Sequence, residues 1–463
     1  MSYGSVIAAI STPSGKGGVA VIRVSGDGAI DICSSIFHPK SKIPLTDLKA
    51  RMQTYGDVIY GSEYIDDAMA TVFRAPHSYT GEDTVEISCH GGVLVTKRVL
   101  EAILASGANL AERGEFTRRA FINGKISLTE AEAISALLDA KTSEQTKLYS
   151  GAARELLANK IEEIRSALTE ILSSIFARID YPDEDLGDFT DEETLTRLNA
   201  IKEELSSLIK TYPTGRAINE GVNTVICGKP NVGKSSIYNL ILGEDAAIVT
   251  EIEGTTRDIL SRSVSLGRIM LNLYDTAGIR DQNAADSVER IGIERSHRAI
   301  SDAELIIAVF DASRVLDKQD FELMRELEKI NAPKIALINK NDLSTVIDSE
   351  EIRAHFHDVI SVSAKDSGIE ALKLLGERIN NLFTNENIST DNSAIISSAR
   401  QNASLNRTLD CVNSAINALT LGVYTDAVAS EIELALGAIA EVDGRSVSEE
   451  VVSEIFSRFC VGK

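Results

Sequence analysis

Residues 228–235 read GKPNVGKS, Asp275-Thr276-Ala277-Gly278 follows about forty residues on, and Asn339-Lys340-Asn341-Asp342 comes later. Each piece suits a different part of one ligand. A loop of the first kind, between a strand and a helix, turns backbone N–H groups toward a phosphate at the positive end of the helix dipole. Lys234 is placed to neutralise charge at the β- and γ-phosphates during catalysis, and Ser235 to bind Mg²⁺. Asn231, Val232, Gly233 and Ser236 complete the loop. Asp275 closes a second strand and would hold the metal through water; Thr276 and Ala277 lead on to Gly278, whose N–H suits the γ-phosphate. Asp342 suits guanine, because one carboxylate accepts from two neighbouring donors that adenine does not offer together. Asn339 and Lys340 would brace and cover the ring, and Ser363-Ala364-Lys365 fits the last base-contacting loop. The motifs stand in unpermuted order, each at a strand end. They imply a site for GTP with Mg²⁺ and a Ras-like GTP hydrolase.

One expected group is missing. Ras-like enzymes orient the attacking water with a glutamine just after the Asp-x-x-Gly motif. Here that position is Ile279, whose alkyl chain cannot polarise water. Asn231 lies inside the phosphate loop, where its carbonyl oxygen would suit a monovalent cation. The stretch Thr250, Glu251, Ile252, Glu253, Gly254, Thr255, Thr256 is switch-like and rich in oxygens. A K⁺ held there would spread positive charge over the β–γ bridge. Glu289, on the second switch, would orient water; Arg257 and Arg280 are alternative charge stabilisers. Read alone, Asn231 is equally a turn residue and Glu289 a solvated helix position.

The elements that must position these groups are legible in outline. Val222–Cys227 and Ile269–Tyr274 read as strands, Ser236–Leu242 as the start of a helix and Val359–Val362 as a further strand. Residues 216–380 alternate strand and helix, as a parallel, helix-covered sheet requires. Residues 1–118 read as α+β, with strands at Val19–Val24, Ala70–Phe73 and Thr84–Ser88 and a helix at Gly92–Ala105. Three- and four-residue apolar spacing predicts helices over Thr129–Ala140, Ser143–Leu157, Ile161–Ile179 and Glu192–Lys210. Tyr212-Pro213-Thr214-Gly215 reads as a break, and residues 394–458 as amphipathic helix again. The expected organisation is multidomain: an α+β domain (1–118), a discontinuous α-helical domain (119–215 and 381–463) and an inserted α/β P-loop GTPase domain (216–380).

Composition narrows the partners. A length of 463 residues suits about three domains. A net charge of −22, from 69 acidic and 47 basic residues, makes the chain a poor general nucleic-acid binder. Any RNA contact must use a local basic patch or a basic partner. Tryptophan is absent and aromatics make up 5%, which excludes extensive base-stacking platforms. No apolar stretch approaches a membrane span and no signal peptide is evident. The five cysteines are scattered without a CxxC pair, which fits a reducing cytoplasm rather than a disulfide framework.

STPSGKGGVAVIRVSG (11–26), YTGEDTVEISCHGG (79–92), RGEFTRRAFINGKISLTEAEAI (113–134), DYPDED (180–185) and the final CVGK (460–463) share a further property. Together with GTTRD, DTAGIR and VERIGIERS through the switches, they are similar to the MnmE (TrmE) family of tRNA-modification GTPases, and the resemblance covers the whole chain. It implies a tetrahydrofolate-binding-like N-terminal domain that also dimerises, a helical domain and an inserted G domain activated by K⁺-dependent dimerisation. It assigns Asn231, Thr250, Ile252 and Thr255 to K⁺, Ser235 and Thr256 to Mg²⁺, and Glu289 to the catalytic water. It places Arg23, Glu86, Lys125 and Lys463 around a reduced folate (5-formyl- or methylene-tetrahydrofolate type). One role for Cys460 is a catalytic thiol near the one-carbon chemistry, since ionised cysteine is strongly nucleophilic and a nearby lysine favours the thiolate. A small apolar anchor for the tail is the plainer role for Cys460. Lipidation does not fit, since Gly462 is not aliphatic and Lys463 is an unusual last residue. The family works as a homodimer with a flavin-dependent partner, MnmG (GidA), which carries the FAD. Together they add a carboxymethylaminomethyl or aminomethyl group to C5 of the wobble uridine of certain tRNAs. The alternative is a GTP-switched assembly factor of the ribosome-biogenesis type, which has neither the CVGK ending nor a folate-like domain.

Overall fold

The structure is a computed structural model and describes residues 4–181, 189–243, 250–251, 261–274, 302–366, 368–384, 393–422 and 425–463. It divides into two compact units, Met1–Leu138 with Ala440–Lys463, and Asp139–Ile439. No helix among the described residues is long and apolar enough to cross a membrane.

The first unit is built on β1 (Ile7–Ile10), β2 (Val19–Ser25), β3 (Phe37–Pro39), β4 (Gln53–Tyr60), β5 (Glu63–Phe73), β6 (Thr84–His90) and β7 (Asn109–Leu110). They form one sheet in the order β3-β4-β5-β6-β2-β1-β7, antiparallel except for the β1–β7 pair. Side chains alternate across a pleat with period two. Ala20, Ile22 and Val24 of β2, Ala68, Ala70 and Val72 of β5, and Val85, Ile87 and Cys89 of β6 therefore share one buried face. Helices α1 (Ala29–Ile36) and α2 (Val93–Ala105) cover it with Ile30, Cys33, Ile36, Val99 and Ile103. The same alternation turns Arg23 and Glu86, which stand directly opposite each other in the β2–β6 register, onto the face away from that core. Below them, α3 (Glu115–Ile122), α4 (Leu128–Asp139) and the late helix Glu449–Ser457 close a second cluster of Phe121, Leu128, Ala131, Val452, Phe456 and Phe459.

The three strands expected here are present, and the second is longer than its apolar run. It begins at Glu63 rather than Ala70, so Asp66 and Asp67 both lie in β5. Asp66 is tolerated because one of its carboxylate oxygens accepts the His90 backbone N–H and the other faces His90 Nδ1, each at 2.8 Å. A buried carboxylate with both oxygens engaged costs far less than a bare one.

The second unit begins with α5 (Ser143–Leu148), α6 (Gly151–Asp180), α7 (Asp191–Ile209) and α8 (Tyr212–Asn219). Two expectations are corrected. The predicted break between Leu157 and Ile161 is absent, and α6 runs for 30 residues without interruption. Nothing at Ala158-Asn159-Lys160 opposes a helix. The real boundary is Ser150, whose hydroxyl accepts from Ala153 N–H and caps α6. Tyr212-Pro213-Thr214-Gly215 is not a break but the start of α8. Proline in the first turn needs no N–H, so it begins a helix as readily as it ends one.

The sheet of this unit comprises β8 (Val222–Cys227), β9 (Thr250–Glu251), β10 (Ser261–Leu266), β11 (Ile269–Tyr274), β12 (Leu305–Asp311), β13 (Lys334–Asn339) and β14 (Asp358–Ser361), ordered β14-β13-β12-β8-β11-β10-β9. Strands β14, β13, β12, β8 and β11 are parallel, and β10 and β9 add an antiparallel edge. β12 is buried at all seven positions, as a strand covered on both faces must be. Among the described residues, helices α9 (Lys234–Gly243), α10 (Lys318–Glu328) and α11 (Ser349–His355) connect its strands, and α12 (Gly368–Phe383) follows β14. After the sheet the chain returns to the earlier helices. α13 (Ala399–Thr420) packs on α7, which also packs on α6. The joint is sealed by Thr211, whose hydroxyl oxygen accepts from the buried Ile396 N–H at 3.0 Å, and by Tyr149 bonded to Ser397.

Thr211→Val keeps the shape of the side chain and strands a buried N–H, which costs about 1–3 kcal/mol. The expected result in urea unfolding is a lower midpoint with an unchanged slope, together with faster hydrogen exchange at Ile396. An unchanged midpoint would show that this joint contributes nothing.

Candidate functional site: a guanine-nucleotide site and a seated C-terminal tail

Parallel strands deliver their site residues at their carboxyl ends, the edge where open α/β sheets bind ligands. β8 ends at Cys227 and runs into the phosphate loop, β12 ends at Asp311, β13 ends at Asn339, and β14 leads to Ser363. α9 begins at Lys234, so the loop opens onto a helix N-terminus with Ser235 and Ser236 exposed in its first turn. Gly233 adopts φ 98°, and a Cβ there would run into the Asn339 side-chain nitrogen. The cradle is thus shaped for close passage of backbone past the Asn339 amide.

Asn339 and Lys340, expected to meet the base, grip the phosphate loop directly. Asn339 Nδ2 donates to the Val232 carbonyl at 3.0 Å, while its Oδ1 accepts from Ala364 N–H at 3.2 Å. Lys340 Nζ donates to the Asn231 carbonyl at 2.8 Å and to Asp311 Oδ2 at 2.6 Å. Burial alone would raise the Asp311 carboxyl. Hydrogen bonds from Lys340 and Ser313 outweigh it and hold the group below the usual carboxylate value. Ser363 Oγ donates to Asp342 Oδ1 at 2.8 Å and accepts from Asp366 N–H, which fixes the carboxylate expected to read guanine. Asn231 and Lys340 both have positive φ, at 63° and 66°. Asparagine tolerates this region and lysine rarely enters it, so the conformation is held by its surroundings. These two residues are hydrogen-bonded to each other. Asp311 carried no motif signal; only its place at the end of an apolar strand marks it.

Lys234, Val232, Gly233, Asn339, Lys340, Asp342, Ser363 and Ala364 therefore converge as expected, with Lys365 beside them in the same loop. Thr250 and Glu251 form β9, paired with β10. Ile252, Glu253, Gly254, Thr255, Thr256, Asp275, Thr276, Ala277, Gly278 and Glu289 lie outside the described residues.

A second group of candidates assembles in the first unit. Arg23 Nε and an NH2 nitrogen pair with Glu86 Oε1 at 2.9 and 2.8 Å. The guanidinium lies 5.3 Å from the centre of the Tyr79 ring and 5.7 Å from that of Phe116. The tail reaches the same place. Arg113 and Val461 form an isolated antiparallel bridge, Gly114 N–H donates to the Cys460 carbonyl, and Ser11 Oγ donates to the Gly462 carbonyl at 3.0 Å. Gly462 has φ 97°, and a Cβ there would strike the Ile10 carbonyl. Burial holds the Lys463 amine below the ordinary lysine value; the positive Arg23 guanidinium pushes the same way, and Cys460 pushes back. Cys460 itself is exposed. Lys125 is tied to the segment that carries Tyr79, its Nζ donating to Pro76 O at 3.0 Å. The rings of Tyr79 and Phe116 were missed as site residues. Tyr79 opens one of the long motifs, and Phe116 lies inside another.

A strand-end phosphate loop braced by an Asn-Lys-x-Asp loop on a mainly parallel sheet defines a P-loop GTPase, an enzyme that hydrolyses GTP. Family models described as "GTP-binding protein TrmE N-terminus" and "MnmE helical domain" match residues 6–125 and 128–460. The chain is 37% identical to the "tRNA modification GTPase MnmE" of Clostridioides difficile (strain 630), over all of both chains. It is 38% identical to the protein of that name from Lactococcus lactis subsp. lactis (strain IL1403), covering 99% of this chain and 98% of the other. The chain belongs to the MnmE (TrmE) family of tRNA modification GTPases.

Asp342→Asn replaces one acceptor with a donor that opposes a donor on guanine. The expected outcome is a loss of GTP affinity of about 100-fold or more, with recovery for a purine carrying a carbonyl at C2. Titration calorimetry with both triphosphates checks this; equal weakening for the two would remove Asp342 from base recognition.

Proposed function

We propose that the chain is a homodimeric, K⁺-activated, cytoplasmic GTPase that acts on tRNA. With a flavin-dependent partner of the MnmG (GidA) type, it takes part in adding a carboxymethylaminomethyl or aminomethyl group to C5 of the wobble uridine, the carbon coming from a reduced folate. The reading is supported chiefly by one observation: Lys463, Arg23 and Glu86, drawn from both ends of the chain, meet in a unit separate from the nucleotide-binding sheet. A GTP-switched assembly factor has no use for such a site.

The residues fit the groups they would hold. Ser235, exposed at the start of α9, is free of the sheet and suits Mg²⁺ beside the phosphates, with Thr256 its proposed companion. Asn231, turned outward by its left-handed backbone, offers its side-chain oxygen to K⁺, with Thr250, Ile252 and Thr255 proposed as the other ligands. Bound K⁺ would supply positive charge at the leaving oxygen, and Glu289 would orient the water. In the first unit, cations at Arg23, Lys463 and Lys125 suit folate carboxylates, Glu86 suits donors on a pterin, and the Tyr79 and Phe116 rings offer apolar faces. Cys460 stands exposed at the edge of this group, beside the lowered amine of Lys463. The net charge of −22 leaves general tRNA binding weak and favours delivery through a partner.

GTP turnover in KCl is expected to exceed that in NaCl by about tenfold or more, as for other preorganised charges at a leaving group. Equal, slow rates in the two salts would remove K⁺ from the reading. Deleting Cys460–Lys463 should abolish tRNA modification in the reconstituted complex and spare GTPase activity. Loss of both would make the tail a structural element only.

A further inference from the structure

Lys229, the second residue of the phosphate loop, is not used by any contact expected of that motif. Its side chain is buried, at 8% exposure, and its ammonium lies between Asp317 and Asp320, 2.8 Å from Asp320 Oδ2. Asp320 is buried too, with a side chain 4% exposed. These carboxylates are the N-terminal capping box of α10: Asp317 accepts from Gln319 N–H at 2.9 Å, and Asp320 Oδ2 accepts from Asp317 N–H at 3.1 Å. Arg314, in the loop before α10, adds a second cation at 3.6 Å from Asp320 and 3.8 Å from Asp317. The main chain of Lys229 faces the other way, and its carbonyl accepts from Lys234 Nζ at 2.7 Å. One residue thus links the cap of α10 to the ammonium that meets the β- and γ-phosphates.

A buried ion pair is a weak source of net stability, because desolvation offsets attraction. Geometry is what such a pair supplies. We propose that Lys229 is a positioning residue for GTP: its ammonium, clamped by the α10 cap, fixes the carbonyl that aims Lys234 at the γ-phosphate. The inference rests on GTP binding alone and is independent of folate, K⁺ and the tail.

The consequence is selective. Lys234 meets both the β- and γ-phosphates, so mis-aiming it costs GTP more than GDP. A general loosening of the loop would cost both equally. The test measures dissociation constants for fluorescent analogues of GTP and GDP, with thermal midpoints, on the full chain. Lys229→Met should weaken GTP by about tenfold, equivalent to about 1.4 kcal/mol, and GDP by clearly less, while Lys229→Arg restores both values. Lys229→Met leaves the buried Asp320 and the exposed Asp317 with Arg314 as their nearest cation and is the variant most exposed to misfolding. The neutral combination Lys229→Met with Asp320→Asn removes one charge of each sign, leaves Arg314 beside Asp317, and should show the same selective loss of GTP. Wild-type GTP affinity in the neutral combination would overturn the proposal, since Lys229 would then serve only to cancel charge. Equal losses for GTP and GDP in the neutral combination would overturn it as well.

Discussion

The hydrogen bond from Lys340 to the Asn231 carbonyl is the constraint on which the nucleotide site depends. It joins the phosphate loop to the Asn-Lys-x-Asp loop, and both of its ends sit in left-handed backbone. Asparagine tolerates that conformation, and lysine would not hold it alone. The Asn339 bond to Val232 and the Asp311 partner of Lys340 keep it in place. The sheet makes the arrangement possible, because β8, β12, β13 and β14 are parallel and bring their carboxyl ends to one edge. The two loops are in this way one mechanical unit. A change at either loop is felt at the other through bonds of ordinary length.

The tail site is organised by another principle. Its residues come from β2, β6, the loops around α3 and the last residues of the chain. What unites them is strand alternation, which puts Arg23 opposite Glu86 on the face the core does not use. The aromatic rings and the tail then cover a charge pair that would otherwise be solvated. Partial burial lowers the charge preference of Lys463 and leaves its amine closer to neutrality than a surface lysine.

Much of the nucleotide site was legible because its motifs encode backbone shape as well as side chains. Lys234, Asn339, Lys340 and Asp342 fell where the spacing put them. Asp311 was not legible, since its role depends on strand order, which no local pattern carries. Helix boundaries failed where one residue has two possible uses. Pro213 starts α8, although proline also ends helices, and Ser150 caps α6 although a serine inside an amphipathic run gives little signal. β5 extends through Asp66 and Asp67 because His90, more than twenty residues later, answers the first of these carboxylates. The folate candidates were reached by resemblance to a family, and the geometry around them then supplied Tyr79 and Phe116.

The positive φ of Lys340 has an evolutionary side. Glycine enters that region of backbone space without penalty, and replacing a strained residue there commonly relaxes a fold. Such a replacement would also delete the ammonium that ties the two loops together. It would also leave the buried Asp311 carboxylate without its cation, so relief of one torsion angle would be offset by an uncompensated charge, and selection for sturdiness has reason to keep a lysine here.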